Sequence, residues 1–571
     1  LSEDRPVFIQ AYVSKEVPEQ YVQTRANLLG ILEEIDSLGG SKIQLLIEDT
    51  EPFTQSARRA REKFGIVSRQ IRNLGSPRSG FSNLFLGVAF TCGAEEQIIP
   101  FLERGLSTEY EIIRSLRVVA RTERKKVGLL ATELKLFGGF DFQSMRSSPP
   151  WSVVEELQKQ YEVIQIPAKT PIVGEIDGLV VALPSSLPQE GMDHLLTYIK
   201  AGKPTLILVD PLPLVNIGLA PSERSGVDKN PFTRNQGPPP EPKGNIHKLM
   251  AEIGVSWDSG SIIWDSYNPH PDLSHLPPEV VFVGKGNKKS EAFNRQHKAS
   301  ADLQEIVLLY PGHIEEAANS LFDFMPLLKS GFTSGRFNHQ QLVQRNFIGA
   351  QLRRNLIHRP DVHENILAAH IRSKQQMSPS SPPKEESYGG SEGISGNPEP
   401  PQRSQLNVIV IADLDFISEQ FFLLRAQGPI NFELDNVTLF LNCIDVLLGD
   451  ESFITLRNKR IKHRTLERVE DQIRNFIKQR FSEEESAELE AEKAIAEAQS
   501  RLDKRVDEVR RRIDLDARAK QIMSRNLQEV ENRRLEVLKT NIEAKKQGQI
   551  NRSKEEMEEQ IRAIQRKIKT L

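Results

Sequence analysis

The chain has 571 residues, of which 38% are hydrophobic and 27% charged, with a formal net charge of −3. That length exceeds one domain and implies about two to four, and the near-neutral balance offers no global basic field for nucleic acid or an anionic membrane surface. No apolar run is long enough to span a membrane, and the two cysteines, Cys92 and Cys443, read as buried free thiols that fix no redox compartment.

From the start, Pro6–Val13 alternates as a strand, Tyr21–Leu38 carries apolar residues at helical spacing, and Lys42–Ile47 is a second strand. Gly39-Gly40 stops the helix between them. This strand–helix–strand opening predicts a small thioredoxin-like layer. Its first turn reads Ser14-Lys-Glu-Val-Pro-Glu19 and lacks Cys-x-x-Cys, which removes thiol oxidoreductase chemistry. A helix over Gln55–Phe64, ended by Gly65, and strands over Asn83–Phe90 and Glu96–Phe101 complete a first domain at 1–105.

The second domain, 106–480, begins with an amphipathic helix over Glu109–Arg121. Three short apolar runs follow, Lys126–Thr132, Gly178–Pro184 and Pro204–Asp210, separated by helix-compatible Ser152–Tyr161 and Gln189–Ala201. Continuous apolar runs alternating with amphipathic helices are expected of parallel strands buried on both faces. Residues 218–245 have loop composition. After them come a helix over Ile246–Ile253, the segment Val255–Asp265, and strands over Val280–Gly284 and Glu305–Tyr310, so 218–284 reads as a lobe inserted on the sheet. Residues 378–404 contain 7 Ser, 6 Pro and 4 Gly and read as a flexible loop. Leu406–Asp413 is the plainest strand of all and is expected to return to the central sheet, ahead of a helix over Val437–Leu448. Beyond it, 481–571 is a charged helical extension with coiled-coil-like spacing whose heptads slip near Leu515–Ile522. It reads as a solvated extension packing on itself, or as a scaffold for assembly.

The motifs of enzymes are missing. No strand-end turn carries the small flanking residues of a nucleophile elbow around Ser185 or Ser186. Neither a Walker loop nor Gly-x-Gly-x-x-Gly after a strand occurs, and Gly284-Lys-Gly-Asn reads as a loop. Of the histidines, His270, His275, His297, His313, His339, His358, His363 and His370, none shows zinc spacing. His363 and His370 read as two turns apart on one helix face, too far for one metal. No cofactor or metal is expected.

The sharpest polar cluster is Asp413-Leu-Asp415-Phe-Ile-Ser418, directly after a buried strand. Two carboxylates in that place could bind a cation or sugar hydroxyls; equally, Asp413 ends the strand while Asp415 or Ser418 caps the next helix. Asp210, at another strand end, is a natural neighbour, because open α/β sheets place ligands at the carboxyl ends of strands. Asp210, Asp413, Asp415 and Ser418 are therefore the candidate ligand-binding residues. Used as an enzyme, the same carboxylates would serve a carbohydrate hydrolase if they flanked a cleft.

The order of segments also carries a resemblance. Glu3-Asp-Arg-Pro-Val-Phe-Ile-Gln-Ala-Tyr-Val-Ser-Lys-Glu-Val-Pro18, Phe64-Gly-Ile, Glu109-Tyr-Glu-Ile-Ile, Lys126-Val-Gly-Leu-Leu and Trp151–Val163 open it. Asp177–Pro184, Tyr198–Pro211, Ala412–Ser418, Asn436–Gly449 and Ile454-Thr-Leu-Arg457 continue it. Together they resemble the GldG-like family of auxiliary components of ABC transporters, associated with gliding motility. The resemblance covers residues 1–480, and the helical tail also suits the family. It implies a non-enzymatic bacterial subunit on the extracytoplasmic, periplasmic side, working beside an ABC permease and an ATPase. Its membrane anchors would lie outside this sequence, removed before Leu1 or beyond the end. The related sheet domain is thought to bind carbohydrate or protein. Asp413 and Asp415 match the family's strand-end acidic cluster, which has no established role. The expected fold class is α/β: a thioredoxin-like layer, a flavodoxin- or glutaminase-like parallel sheet with insertions, and the helical extension.

Overall fold

The computed structural model describes residues 5–458, apart from 73–80, 121–122, 142–145, 224–240, 288–290, 347–348, 354–355, 362–363, 375–404 and 428–433, and scattered positions between 486 and 552. The chain divides into two compact units. The first comprises residues 1–265, 279–353 and 361–462; the second comprises 266–278, 354–360 and 463–571.

The N-terminal part runs β1 (Val7–Val13), α1 (Glu19–Gly39), β2 (Ile43–Asp49), α2 (Gln55–Phe64), β3 (Arg69–Arg72), β4 (Phe81–Leu84), β5 (Leu86–Cys92), β6 (Glu95–Ile99) and α3 (Thr108–Ala120). β1 and β2 are parallel, with Val7 opposite Ile43 and Val13 opposite Asp49, a pairing that requires the α1 crossover. β5 and β6 add antiparallel, giving the order β2-β1-β5-β6. Alternation puts Val7, Ile9, Ala11 and Val13 on one face, where they pack with Leu28 and Leu32 of α1 and Ile112 and Val119 of α3. On the other face α2 covers Tyr12 and Ala89 with Ala60 and Phe64. Thr54 caps α2 by accepting from the Ala57 amide, and Gly65, at φ +66°, ends it in the left-handed region that glycine tolerates. The β3–β4 hairpin was not expected from sequence; only the Ile71 and Ser82 positions of its polar strands and the final Leu84 turn inward.

The second part continues with β7 (Lys126–Leu130), β8 (Gly139–Asp141), β9 (Arg146–Ser148), α4 (Ser152–Gln158), β10 (Glu162–Ile166), β11 (Gly178–Ala182), α5 (Gln189–Lys200) and β12 (Thr205–Leu208). A long excursion follows: α6 (Ile246–Glu252), β13 (Val255–Trp257), β14 (Ser261–Asp265), β15 (Val280–Gly284), β16 (Glu305–Leu309), β17 (Ile314–Glu316), β18 (Phe322–Lys329), β19 (Ser334–Asn338), α7 (His339–Leu342), β20 (Val343–Asn346), β21 (Gly349–Leu352) and β22 (Ile366–Ser373). β23 (Asn407–Ile411), α8 (Glu419–Gln427), α9 (Asn436–Leu448) and α10 (Ile454–Asn458) close this unit. The main sheet has seven strands in the order β10-β7-β11-β12-β23-β22-β18. β23 does return to it, pairing parallel with β12 from Thr205↔Val408 to Leu208↔Ile411. One face packs on α9, every residue of which is buried, and the other on α5 and α6.

Two expectations are corrected here. The sheet is mixed rather than parallel, because β22 joins β23 antiparallel and β18 joins β22 antiparallel. Residues 366–373, including His370, form strand β22 and not a helix. Between two partner strands, an extended backbone finds hydrogen-bond partners for this short apolar run on both sides. β15 and β16 pair with each other outside the main sheet, as do β13 with β17 and β14 with β19. Cys92 and Cys443 are free and buried, as expected. In the second unit, Asn268 organises a turn by donating to the Leu273 carbonyl at 3.0 Å and accepting from the His270 amide at 2.9 Å. The described tail positions are helical. The coiled-coil spacing around Leu515–Ile522 and the loop 378–404 lie outside the described residues. No described helix is long and apolar enough to cross a membrane.

Candidate functional site: a strand-end carboxylate cluster

β12 and β23 are adjacent and parallel, so the residues that follow them emerge at the same edge of the sheet. The ladder runs one bond further, from the Val209 amide to the Ile411 carbonyl at 3.0 Å. This register brings Asp210, Asp413 and Asp415 together, with carboxylate oxygens from all three within 4.8 Å of one another. Asp210 and Asp413 are fully buried and Asp415 is 2% exposed.

Each carboxylate holds main-chain N–H groups. Asp210 accepts from Leu212 at 2.7 Å and from Leu414 at 3.0 Å, through different oxygens. Asp413 accepts from Asp415 and from Leu309, both at 2.7 Å. Asp415 accepts from Leu214 at 2.6 Å. The end of β16 is thereby tied to the ends of β12 and β23, and Gly312 donates to Ala412 across the same junction at 2.7 Å. Tyr310, between them, takes a φ of +53°, a strained value for an aromatic residue that the surrounding bonds hold in place.

Burial outweighs these donors electrostatically. It holds the carboxyls of Asp210 and Asp413 well above the usual range, reinforced by the neighbouring carboxylates, and pushes Asp415 up to about 6. Charge on one of the three carboxyls therefore disfavours charge on the others, and they titrate as a coupled set. An all-oxygen trio is the donor type that hard divalent cations take. Here, however, the positive ends of main-chain N–H dipoles already point at five of the oxygens. The carboxylates are also too close, and too deeply covered, to flank a sugar: glycosidases separate theirs by about 5–10 Å across an open cleft.

Ser418 donates its amide to the Asp415 carbonyl at 2.9 Å, while its hydroxyl has no partner, so neither side chain caps α8. Ser186 is engaged with the Leu183 carbonyl and the Glu133 amide, and the buried Ser185 hydroxyl has no partner, so neither touches a base. Of the histidines, His297, His313, His339 and His370 are buried. His297 and His370 bond to each other at 2.8 Å; His370 reaches the Asn407 side chain at 2.8 Å, and His297 Nδ1 accepts from the Ala299 amide at 3.2 Å. These are satisfied core histidines, and burial lowers them to about 4 and about 3.

Sequence reasoning missed a second polar centre. Arg457 of α10 donates to Asp445 of α9 at 2.8 Å, to the Asn442 side chain at 2.6 Å and to the Tyr110 hydroxyl of α3 at 3.1 Å. Tyr161 donates to the other Asp445 oxygen. All these side chains are buried. Burial pushes Asp445 up, and the adjacent Arg457 guanidinium and the Tyr161 hydroxyl pull it back. The signal in the sequence is the pair Asn442 and Asp445, three residues apart on a largely apolar helix.

A family model described as an ABC-type uncharacterized transport system matches residues 124–443, more than half of the 571. The chain belongs to this family of auxiliary components. The match begins just before β7 and ends in α9, so the family's defining region is the seven-stranded sheet with its strand-end cluster. A domain of unknown function matches residues 2–91, the N-terminal sheet layer. No curated protein and no solved structure matches the chain.

Proposed function

We propose that the chain is a non-enzymatic auxiliary subunit of an ABC-type transport system, of the gliding-motility type, that acts by binding a ligand or partner. In this reading it works beside a permease and an ATPase on the extracytoplasmic side of the membrane. The observation that carries it is the family match over the whole sheet, from before β7 into α9. The parallel β1–β2 pair extended by antiparallel β5 and β6 supports a thioredoxin-like first layer. The parallel run β10-β7-β11-β12-β23 supports a flavodoxin-like second one.

Asp210, Asp413 and Asp415 serve this function as positioning residues. They fix the 210–216, 309–312 and 413–418 loops at the carboxyl edge of the sheet, where open α/β sheets bind their ligands. Ser418 sits on the last of these loops, its buried hydroxyl without a partner in the fold. The test is affinity purification of the whole gene product from native membranes. Recovery of a permease and an ATPase with it supports the reading. Recovery of the protein alone, from the soluble fraction, overturns it.

A further inference from the structure

The two edges of the N-terminal sheet differ in kind. β6 presents Glu95, Glu96 and Gln97, the charged and polar composition that discourages strand pairing. β2, Ile43-Gln-Leu-Leu-Ile-Glu-Asp49, confines its charges to its last two residues. It carries no Pro, Lys or Arg, and its seven pairs to β1 run without a bulge. Among the described residues its only ladder partner is β1; at the ends of its outer row the Ile43 amide bonds the Gly40 carbonyl and the Asp49 carbonyl accepts from Ser56 Oγ, which leaves the outward groups of Leu45 and Ile47 for a further strand. Leu46 is 46% exposed, and Phe8, its diagonal neighbour on β1, is 42% exposed on the same face. On the helix-covered face Leu45 and Ile47 are only half-buried.

We propose that β2 pairs antiparallel with β2 of a second copy of this chain, about a two-fold axis at Leu45. The sequence itself selects the occupant and the register. Paired residues must share a face, which leaves axes at Leu45, Leu46 or Ile47. An axis at Leu46 sets Ile43 against Asp49; one at Ile47 sets Leu45 against Asp49 and Leu46 against Glu48. The axis at Leu45 sets Leu45 on its own copy, Ile43 on Ile47 and Gln44 on Leu46, and brings Lys42, in the turn just before the strand, beside Glu48. No acid then opposes an apolar side chain, and the one charged pair is complementary. Glu48 already accepts from Arg59 at 2.9 Å and has a second oxygen for Lys42. On the face that carries α2, the exposed Phe8 and Leu46 of one copy become diagonally continuous with Leu46 and Phe8 of the other. The result is one apolar stripe across an eight-stranded sheet, with both formerly open edges paired. This is an isologous contact, which closes at two copies and does not propagate.

Light scattering on the full chain tests it, with mutual charge substitutions as the probe. The wild type is expected at twice 64.6 kDa. Gln44→Lys/Leu46→Lys sets lysine against lysine twice across the axis and gives a monomer. Gln44→Lys/Leu46→Glu sets opposite charges there and restores the dimer, an outcome that no other register and no foreign strand produces. Both positions are exposed, so circular dichroism of the variants stays that of the wild type. Leu45→Cys cross-links to its own copy on mild oxidation, because Cys92 and Cys443 are buried. A monomeric wild type at tens of micromolar overturns the proposal. So does a dimer that survives the double-lysine change, or one in which Leu45→Cys fails to cross-link, since either places the contact elsewhere, as in the helical tail.

Discussion

Replacing Asp415 with asparagine should stabilise the protein at alkaline pH, although it removes a buried hydrogen-bonded acid. Burial raises the Asp415 carboxyl from 3.8 to about 6. A carboxyl raised in the folded state contributes stability that is fully present below its unfolded value and is lost as pH rises through the folded one. The interval of roughly two pH units corresponds to about 3 kcal/mol lost between pH 4 and pH 7. Asparagine keeps an acceptor for the Leu214 amide and never ionises, so it avoids that loss. It weakens the remaining main-chain contact, at Val215, by about 1 kcal/mol. The variant should therefore be about 2 kcal/mol more stable than wild type at pH 8, and slightly less stable at pH 4. Urea titrations of both proteins at pH 4, 6 and 8 read this difference, to which relief of Asp210 and Asp413 from the Asp415 charge adds in the same direction. An asparagine variant as destabilised at pH 8 as at pH 4 would refute the reasoning. A wild-type midpoint raised by millimolar calcium or magnesium, with no response in the variant, would refute it differently, by showing the charge to be held by a cation.

Two further outcomes follow from buried groups elsewhere. His297 and His370 are neutral in the fold and depressed to about 4 and about 3, so they favour the folded state above pH 6.5 and erode it as pH falls toward those values. Each contributes an acid limb of about 1.4 kcal/mol per pH unit, and His297→Gln should remove one proton's worth of that slope in acid denaturation followed by fluorescence. Arg457→Met strands the buried Asp445 carboxylate and should cost about 3–5 kcal/mol in urea unfolding. The double change Arg457→Met/Asp445→Leu, which removes both charges, should recover most of it.

Sequence alone is most legible where one physical demand dominates. β7, β11, β12 and β23 are continuous apolar runs because both faces of the sheet are covered, and nothing competes with that pattern. β10, Glu-Val-Ile-Gln-Ile at the sheet edge, is half-exposed and mixes polar residues in, so it reads as connection. β18 contains Pro326, which argues against a strand until its place at the opposite edge, with a register shift after Pro326, is known. β22 carries His370 within an apolar run too short to separate strand from helix by spacing. At the site, Asp210, Asp413 and Asp415 could be read as neighbours because they end adjacent strands. Their partners could not, because those are main-chain amides of Leu212, Leu214, Leu309 and Leu414, whose side chains carry no hint of the role.

The pairing of β12 with β23 sets a demand on synthesis. The two strands meet in parallel register although one follows the other by about 200 residues, a separation whose closure entropy makes this among the slowest contacts to form. On a ribosome adding about 5–20 residues per second, the free edge of β12 waits roughly 10–40 s for its neighbour. Throughout that interval the nascent chain presents Leu206, Ile207 and Leu208, which are fully buried in the finished sheet. A chain truncated before β23 leaves the β12 edge without this partner, and it is expected to pellet from solution more readily than the full chain.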